Sequence, residues 1–90
     1  MSKIIDCGKY TLERIFWKFQ MGEVYRNNNG SDYELLAITP EGLTFRQVDS
    51  GWTVRAIGTQ MFVRTDKATG ESYRVIEWAH GLDGRFENAS

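Results

Sequence analysis

The chain contains only one cysteine, Cys7, and only one histidine, His80. A lone cysteine excludes a disulfide within the chain and is typical of proteins from a reducing cytoplasm. A zinc site needs more cysteine or histidine ligands than these two residues supply. A nucleophile pair would have to join Cys7 to His80, and their spacing supports no such arrangement. We therefore expect no metal and no covalent chemistry, with Cys7 packed as a small buried side chain.

Long apolar runs, a surplus of one charge and a glycine-rich phosphate loop are missing as well. The apolar runs are only a few residues long, so we expect no membrane-spanning segment and no signal peptide. Eleven basic and twelve acidic residues give a formal net charge of −1. This balance disfavours nucleic-acid binding, which needs a basic face, and it equally disfavours an acidic DNA mimic. No glycine-rich loop follows a strand and precedes a helix, as phosphate binding requires. Together these absences favour a cytoplasmic, non-enzymatic protein without a cofactor.

Aromatic residues are abundant, with three Trp, four Tyr and five Phe in 90 residues. They help the one modest core of a small single domain to bury enough area. The clearest pattern runs over residues 43–57, where apolar and polar side chains alternate on both sides of Ser50-Gly51. Alternation with a period of two predicts a β-hairpin that turns at these two residues. One face of this hairpin would carry Leu43, Phe45, Trp52 and Val54.

A two-residue turn also fixes which residues of the hairpin face each other. It pairs Phe45 with Ala56 and places Arg46 directly opposite Arg55. Like charges across a strand pair are unfavourable unless something compensates them. Carboxylates on neighbouring strands, or water, are one explanation. A bound anion such as a phosphate is the other.

Residues 11–21 are the one good helix candidate. Thr11 can cap a helix at its start, and Gly22 can end it. An apolar stripe with helical spacing is formed by Leu12, Ile15, Phe16 and Phe19. Trp17 lies off this stripe, which predicts a partly exposed aromatic at the domain edge or in an interface. A strand is the alternative, with Ile15, Trp17, Phe19 and Met21 on one face.

Two further hairpins are predicted over residues 23–38 and 61–78. The Asn27–Gly30 run is a strong turn signal in the first, and a polar loop over residues 66–70 divides the second. We expect residues 79–90 to form a tail, with Leu82 and Phe86 as candidate anchors and with the last four residues frayed. The sequence therefore predicts a mainly β (α+β) domain over residues 1–90. Its form would be a small, strongly bent antiparallel sheet or SH3-like barrel with one N-terminal helix.

Arginines and aromatic residues are the only groups that suggest a binding site. Arg26, Arg46, Arg55, Arg64 and Arg74 each lie in a predicted strand or at its end, and several Trp and Tyr residues offer flat faces. Guanidinium groups with aromatic platforms suit a nucleotide, although protein interfaces are enriched in the same residues and most aromatics must build the core. The candidate ligand-binding residues are Arg46, Arg55, Trp52, Trp78 and His80.

Residues 51–62, GWTVRAIGTQMF, are followed by Ile76-Glu77-Trp78 and by a Gly-rich end with Phe86. In these residues, about the C-terminal half of the chain resembles a group of small uncharacterised proteins carried by phages and other mobile elements of bacteria. Residues 63–75 form a longer link than the group has. The resemblance implies a genomic setting and no particular chemistry. In that setting, small proteins that block host defence or modulate host machinery are expected.

Two functions are predicted on this basis. In the first, the protein is a non-enzymatic anti-defence binder that sequesters a small anionic nucleotide signal. In the second, it is a protein–protein docking module that inhibits or modulates a host or defence protein, with Trp17 as an interface anchor. In both, exposed apolar surface at Trp17 and Trp78 favours a homo-oligomer.

Overall fold

The computed structural model describes residues 3–82, and at His80 and Leu82 it describes only their strand positions. Nine strands lie within this range, and none of its residues forms a helix. The strands are Ile4–Asp6 (β1), Tyr10–Ile15 (β2), Val24–Arg26 (β3), Asp32–Thr39 (β4), Gly42–Gln47 (β5), Thr53–Ile57 (β6), Gln60–Asp66 (β7), Ser72–Glu77 (β8) and His80–Leu82 (β9). In the same range no helix is available that could cross a membrane. The predicted role of Phe86 falls outside these residues.

The strands form two antiparallel sheets. The first sheet has the order β1-β2-β7-β8, and the second has the order β3-β4-β5-β6-β9. A parallel bridge between Asn27 and Ile76 joins the end of β3 to β8, and the Asn28 N–H donates to the Ile76 carbonyl at 3.2 Å. A small, mainly β domain is thus confirmed. Two sheets joined by this bridge take the place of the predicted single bent sheet or SH3-like barrel.

The predicted N-terminal helix is wrong. Its first half, up to Ile15, is strand β2, which pairs with β1 on one side and with β7 on the other. Two flanking strands satisfy the backbone groups of β2, and they override an apolar spacing that a helix would also satisfy. The apolar stripe consequently splits. Leu12 is buried in one cluster, Phe19 packs on another, and Phe16 is 95% exposed.

The predicted hairpins occupy the positions of β3–β4, β5–β6 and β7–β8, but the register of β5–β6 differs by two residues from the prediction. Gln47 donates its N–H to the Trp52 carbonyl at 2.7 Å, which closes a four-residue loop with Gly51 at a φ of 75°. Phe45 therefore pairs with Val54, not with Ala56. A shift of two residues preserves which side chains share a face, so the hydrophobic pattern alone does not distinguish the two registers.

The main core lies between the two sheets. Tyr25, Leu35, Phe45 and Ala56 from the second sheet meet Met61 and Ile76 from the first. Around Phe45, the rings of Tyr25 and Tyr33 pack edge-on at 6.4 and 6.2 Å, and Trp78 stacks at 5.7 Å. These ring contacts add to the burial of apolar area in a domain with few aliphatic residues to spare.

A second, smaller cluster lies on the other face of the first sheet. It consists of Leu12, Phe62 and Val75, with Tyr10 packed against it. Arg64 lies over the Tyr10 ring at 3.9 Å and donates to the Asn28 side-chain oxygen at 3.0 Å. These contacts hold the turn after β3 against this face. Cys7, which was predicted to be buried, is exposed, because β1 is an edge strand that no further element covers within residues 3–82.

Leu35 and Leu36 provide a matched test of this core, because one is fully buried and its neighbour is 36% exposed at a β-bulge. We expect Leu35→Ala to lower the free energy of unfolding by about 2–5 kcal/mol, because a cavity would open beside Phe45. Leu36→Ala should cost less than half as much. Urea denaturation followed by tryptophan fluorescence measures both, and equal losses would contradict this assignment of the core.

Candidate functional site

A cleft of about 360 Å³ opens where the two sheets diverge from the Asn27–Ile76 bridge. Residues 24–26 of β3 form one wall, and residues 74–76 of β8 form the other. The remaining lining residues are Trp17, Glu23, Asp32 and Met61. The cleft exists because β3 belongs to the second sheet and β8 to the first. The two strands are close at the bridge and move apart with distance from it.

The segment between β2 and β3, residues 16–23, borders this cleft, and we call it the connector. Phe19 anchors it in the core with its ring 5.2 Å from that of Tyr25. The Gln20 N–H donates to the Tyr25 hydroxyl at 2.9 Å, and the Gly22 N–H donates to the Leu35 carbonyl at 2.8 Å. A segment without its own backbone ladder is thus held by a few tertiary contacts.

Trp17 and Arg74 form the central contact of the cleft. The Arg74 guanidinium lies over the Trp17 ring, 4.1 Å from its centroid. Within residues 3–82, Arg74 takes part in none of the ion pairs, which involve Arg26, Arg46, Arg64 and Lys67. A cation on an indole face is stabilised by the ring quadrupole and keeps its donors available for an anionic group.

Unlike Arg74, the other charged groups of the cleft have partners within it. Arg26 donates to both carboxylate oxygens of Asp32, at 2.9 and 3.3 Å, and this contact holds the pKa of the Asp32 carboxyl below its usual value. Burial raises the pKa of the Tyr25 hydroxyl, the hydrogen bond from Gln20 opposes the increase, and the Glu23 carboxylate adds to it. Tyr25 therefore stays neutral at physiological pH, and among residues 3–82 Arg74 is the cation of the cleft that has no carboxylate partner.

Four large apolar side chains are exposed along the connector and the start of β3. We call them the connector patch: Phe16 (95% exposed), Trp17 (41%), Met21 (64%) and Val24 (55%). Trp17 and Val24 also line the cleft, so the patch and the cleft share a border. Other large apolar side chains are exposed elsewhere in the described residues, but residues 16–24 contain four of them within a short stretch. Several exposed apolar residues close together are typical of an interaction surface, whereas a single one would need no explanation.

The two arginines predicted to bind a ligand do not face each other. Arg46 pairs with Thr53 and Arg55 with Thr44, so the two are diagonal neighbours on the outer face of the second sheet. Arg46 donates to Glu34 on β4. The carboxylate explanation is thus confirmed for Arg46, and the direct apposition that suggested an anion site is wrong.

The predicted aromatic residues lie elsewhere. Trp78 stacks on Phe45 and contacts Tyr33 edge-on at 5.1 Å, so it is a core residue and not the predicted exposed partner of Trp17. Trp52 is about half exposed at the end of the β5–β6 hairpin. His80 pairs with Ile57 at the edge of the second sheet. Trp78 and the two arginines therefore lie on opposite faces of one sheet, and these residues do not converge on one site.

The residues that do converge were only partly visible in the sequence. Arg74 and Arg26 belong to the set of strand arginines, and Trp17 was predicted as a partly exposed aromatic. Nothing in the sequence places Trp17 against Arg74, since the contact depends on how the connector crosses the first sheet. Within the described residues no group of His, Cys, Asp or Glu is arranged to hold a metal ion.

Tyr25→Phe tests how the connector is held. The change removes the hydroxyl that accepts the Gln20 N–H, so we expect a loss of about 1 kcal/mol in the free energy of unfolding. Hydrogen exchange over residues 16–23 should accelerate, as measured by mass spectrometry. Tyr33→Phe is the matched control, because the Tyr33 hydroxyl makes no hydrogen bond among residues 3–82 and its ring also packs on Phe45. Unchanged exchange in the Tyr25 variant would show that the bond does not hold the connector.

No protein-family model, curated protein sequence or solved structure matches this chain. The resemblance to small phage proteins therefore stays a prediction, together with the genomic setting that it implies. The geometry and chemistry of the cleft and the connector patch are the basis for a functional proposal.

Proposed function

We propose that the protein is a non-enzymatic docking module, which binds a partner protein through the connector patch and the rim of the cleft. The exposure of Phe16 carries this proposal. Burial of a phenylalanine side chain contributes roughly 1.5–3 kcal/mol of favourable free energy. In this chain the Phe16 side chain stays in water, so that free energy does not contribute to folding. Trp17, Met21 and Val24, in the connector and at the start of β3, are exposed as well.

The composition of this surface supports a protein partner. Interfaces are enriched in aromatic residues, Met and Arg, and their binding energy is concentrated in a few central anchors within a polar rim. Phe16, Trp17 and Met21 would serve as anchors. Arg74 and the Arg26–Asp32 pair would form part of the rim beside them.

The resemblance to phage and mobile-element proteins supports a host or defence protein in the bacterial cytoplasm as the partner. Inhibition or modulation by simple occupancy needs no metal, cofactor or catalytic residue. Association with a second copy of the chain is also expected, and through the connector patch it would compete with the partner protein. Nucleic acid is disfavoured by the near-neutral charge of the chain.

Sequestration of a small anionic nucleotide is the second candidate. Its support is the volume of the cleft, which lies at the lower end of the range of small-molecule sites, together with the Trp17–Arg74 contact. Arg74 would hold a phosphate, and Trp17 would stack with the base. This moves the candidate site away from Arg46 and Arg55. Docking is favoured because Phe16 and Met21 have no role in a ligand complex of this size.

A nucleotide screen by thermal shift tests the second candidate. A ligand present at 100 times its Kd should stabilise the protein by about 2.7 kcal/mol. We expect Arg74→Gln to abolish such a shift and Arg55→Gln, at an exposed arginine on the outer face of the second sheet, to retain it. The opposite result would return the site to the residues predicted from the sequence. No shift with any nucleotide would remove this candidate.

Phe16→Ser tests the docking function. The chain is used to retain a partner from lysate of a bacterium with an active defence system, and sedimentation of the purified chain shows whether a second copy binds. Once the partner is identified, Phe16→Ser should weaken binding by roughly 30-fold, as expected for an interface anchor worth about 2 kcal/mol.

Val48→Ser is the matched control for this experiment, since Val48 is an exposed apolar residue at the far hairpin loop. Both variants should fold with unchanged stability because neither side chain is buried. Equal affinity of the Phe16 and Val48 variants for the partner would refute docking through the connector patch.

A further inference from the structure

Two strand edges border the cleft without a strand partner. β8 is the last strand of the first sheet, β3 is the first strand of the second, and they meet only at the Asn27–Ile76 bridge. From Arg74 to Ser72, no strand of the described residues pairs with the outer edge of β8. An unpaired edge presents N–H and C=O groups in a row, to which another extended chain can add.

Along β8, the backbone groups of alternate residues point to β7 and to the cleft, so the register with β7 determines which residues face the cleft. Alternate residues of an antiparallel strand direct both backbone groups to the same neighbour. Ile76 directs its carbonyl outward to the turn after β3, whereas Glu71 directs its carbonyl to β7, where it accepts from Asp66 at 2.9 Å. Arg74 and Ser72 lie two and four residues before Ile76, so their backbone groups point in the same direction as those of Ile76. Their N–H and C=O groups therefore point away from β7, and those of Arg74 lie in the wall of the cleft.

The side chains around this edge favour an acidic segment. Arg74 stacks on Trp17 and has no carboxylate partner among residues 3–82. A residue on an added strand would lie beside Arg74 on the same face of the sheet, at the distance of a cross-strand pair. A carboxylate there would make charge-assisted hydrogen bonds with the guanidinium.

We propose that the cleft receives an extended peptide segment of the partner protein, which adds to the outer edge of β8 and places an Asp or Glu side chain beside Arg74. This inference rests on the proposed docking function and specifies its partner. A small anion would use the charge of Arg74 and leave the strand edge unpaired, whereas an extended chain uses both. Apolar residues that follow in the same segment would contact the connector patch.

A displayed library of random heptapeptides, selected on the immobilised 90-residue chain, supplies the probe. Enriched peptides should carry an Asp or Glu flanked by β-branched residues. Fluorescence anisotropy with a labelled enriched peptide gives the affinity. Arg74→Gln should weaken it by about 10-fold or more, and Arg55→Gln should leave it unchanged.

The backbone pairing is tested on the peptide itself, so that the result does not depend on the folding of a protein variant. Two versions of the enriched peptide are made. One carries N-methyl groups on the odd-numbered residues, and the other carries them on the even-numbered residues. An added strand donates to β8 through the N–H groups of only one of these two sets. One version should therefore lose at least about 10-fold in affinity and the other should bind like the parent peptide.

Several outcomes would overturn strand addition. These are the absence of enriched peptides, equal binding of the two methylated versions, and affinity that is unaffected by Arg74→Gln. If a peptide or partner still depends on Phe16, the docking function stands and only the strand addition fails. If nucleotides give an Arg74-dependent thermal shift and no peptide is enriched, strand addition fails in favour of a small ligand; if in addition the Phe16 and Val48 variants bind the partner equally, the docking function fails as well.

Discussion

The contact on which the rest of the structure depends is the bridge between Asn27 and Ile76. Ile76 is fully buried and its carbonyl accepts the Asn28 N–H, while Asn27 is buried and its side-chain oxygen accepts the Asn29 N–H at 3.0 Å. The asparagine run thus turns the chain and satisfies its own backbone at the corner. Next to this corner the two sheets enclose the aromatic core. The cleft opens beside that core and is lined in part by the core residues Tyr25, Met61 and Ile76.

The first sheet carries buried side chains on both of its faces because of this corner. Consecutive residues of β7, Met61 and Phe62, are both buried, and so are Val75 and Ile76 in β8. One member of each pair faces the main core and the other faces the small cluster under the turn after β3. Alternation in β8 places Val75 and Ile76 on opposite faces, but it does not show what covers Val75, so the second cluster is not predictable from this strand alone.

Local patterns predicted the three hairpins but failed for β2, which was expected to be a helix, and for the register of β5–β6. The β3–β4 and β7–β8 hairpins follow from turn residues and alternation, which are properties of adjacent residues. The β5–β6 register does not follow from such properties, because a two-residue turn and a four-residue turn place the same side chains on each face of the hairpin. The Gln47–Trp52 hydrogen bond distinguishes the two registers. Arg46 was therefore placed opposite Arg55, although its charge is compensated by Glu34 on the neighbouring strand.

The failed helix prediction and the candidate site have a common origin in the connector. Phe16 and Phe19 complete an apolar stripe that would suit a buried helix face, yet in the structure only Phe19 reaches the core and Phe16 remains in water. A sequence that is consistent at every level would not leave a phenylalanine exposed beside a tryptophan, and such departures concentrate where function opposes folding. Phe16, the residue that contradicts the local pattern most strongly, is thus also the residue on which the proposed docking function rests.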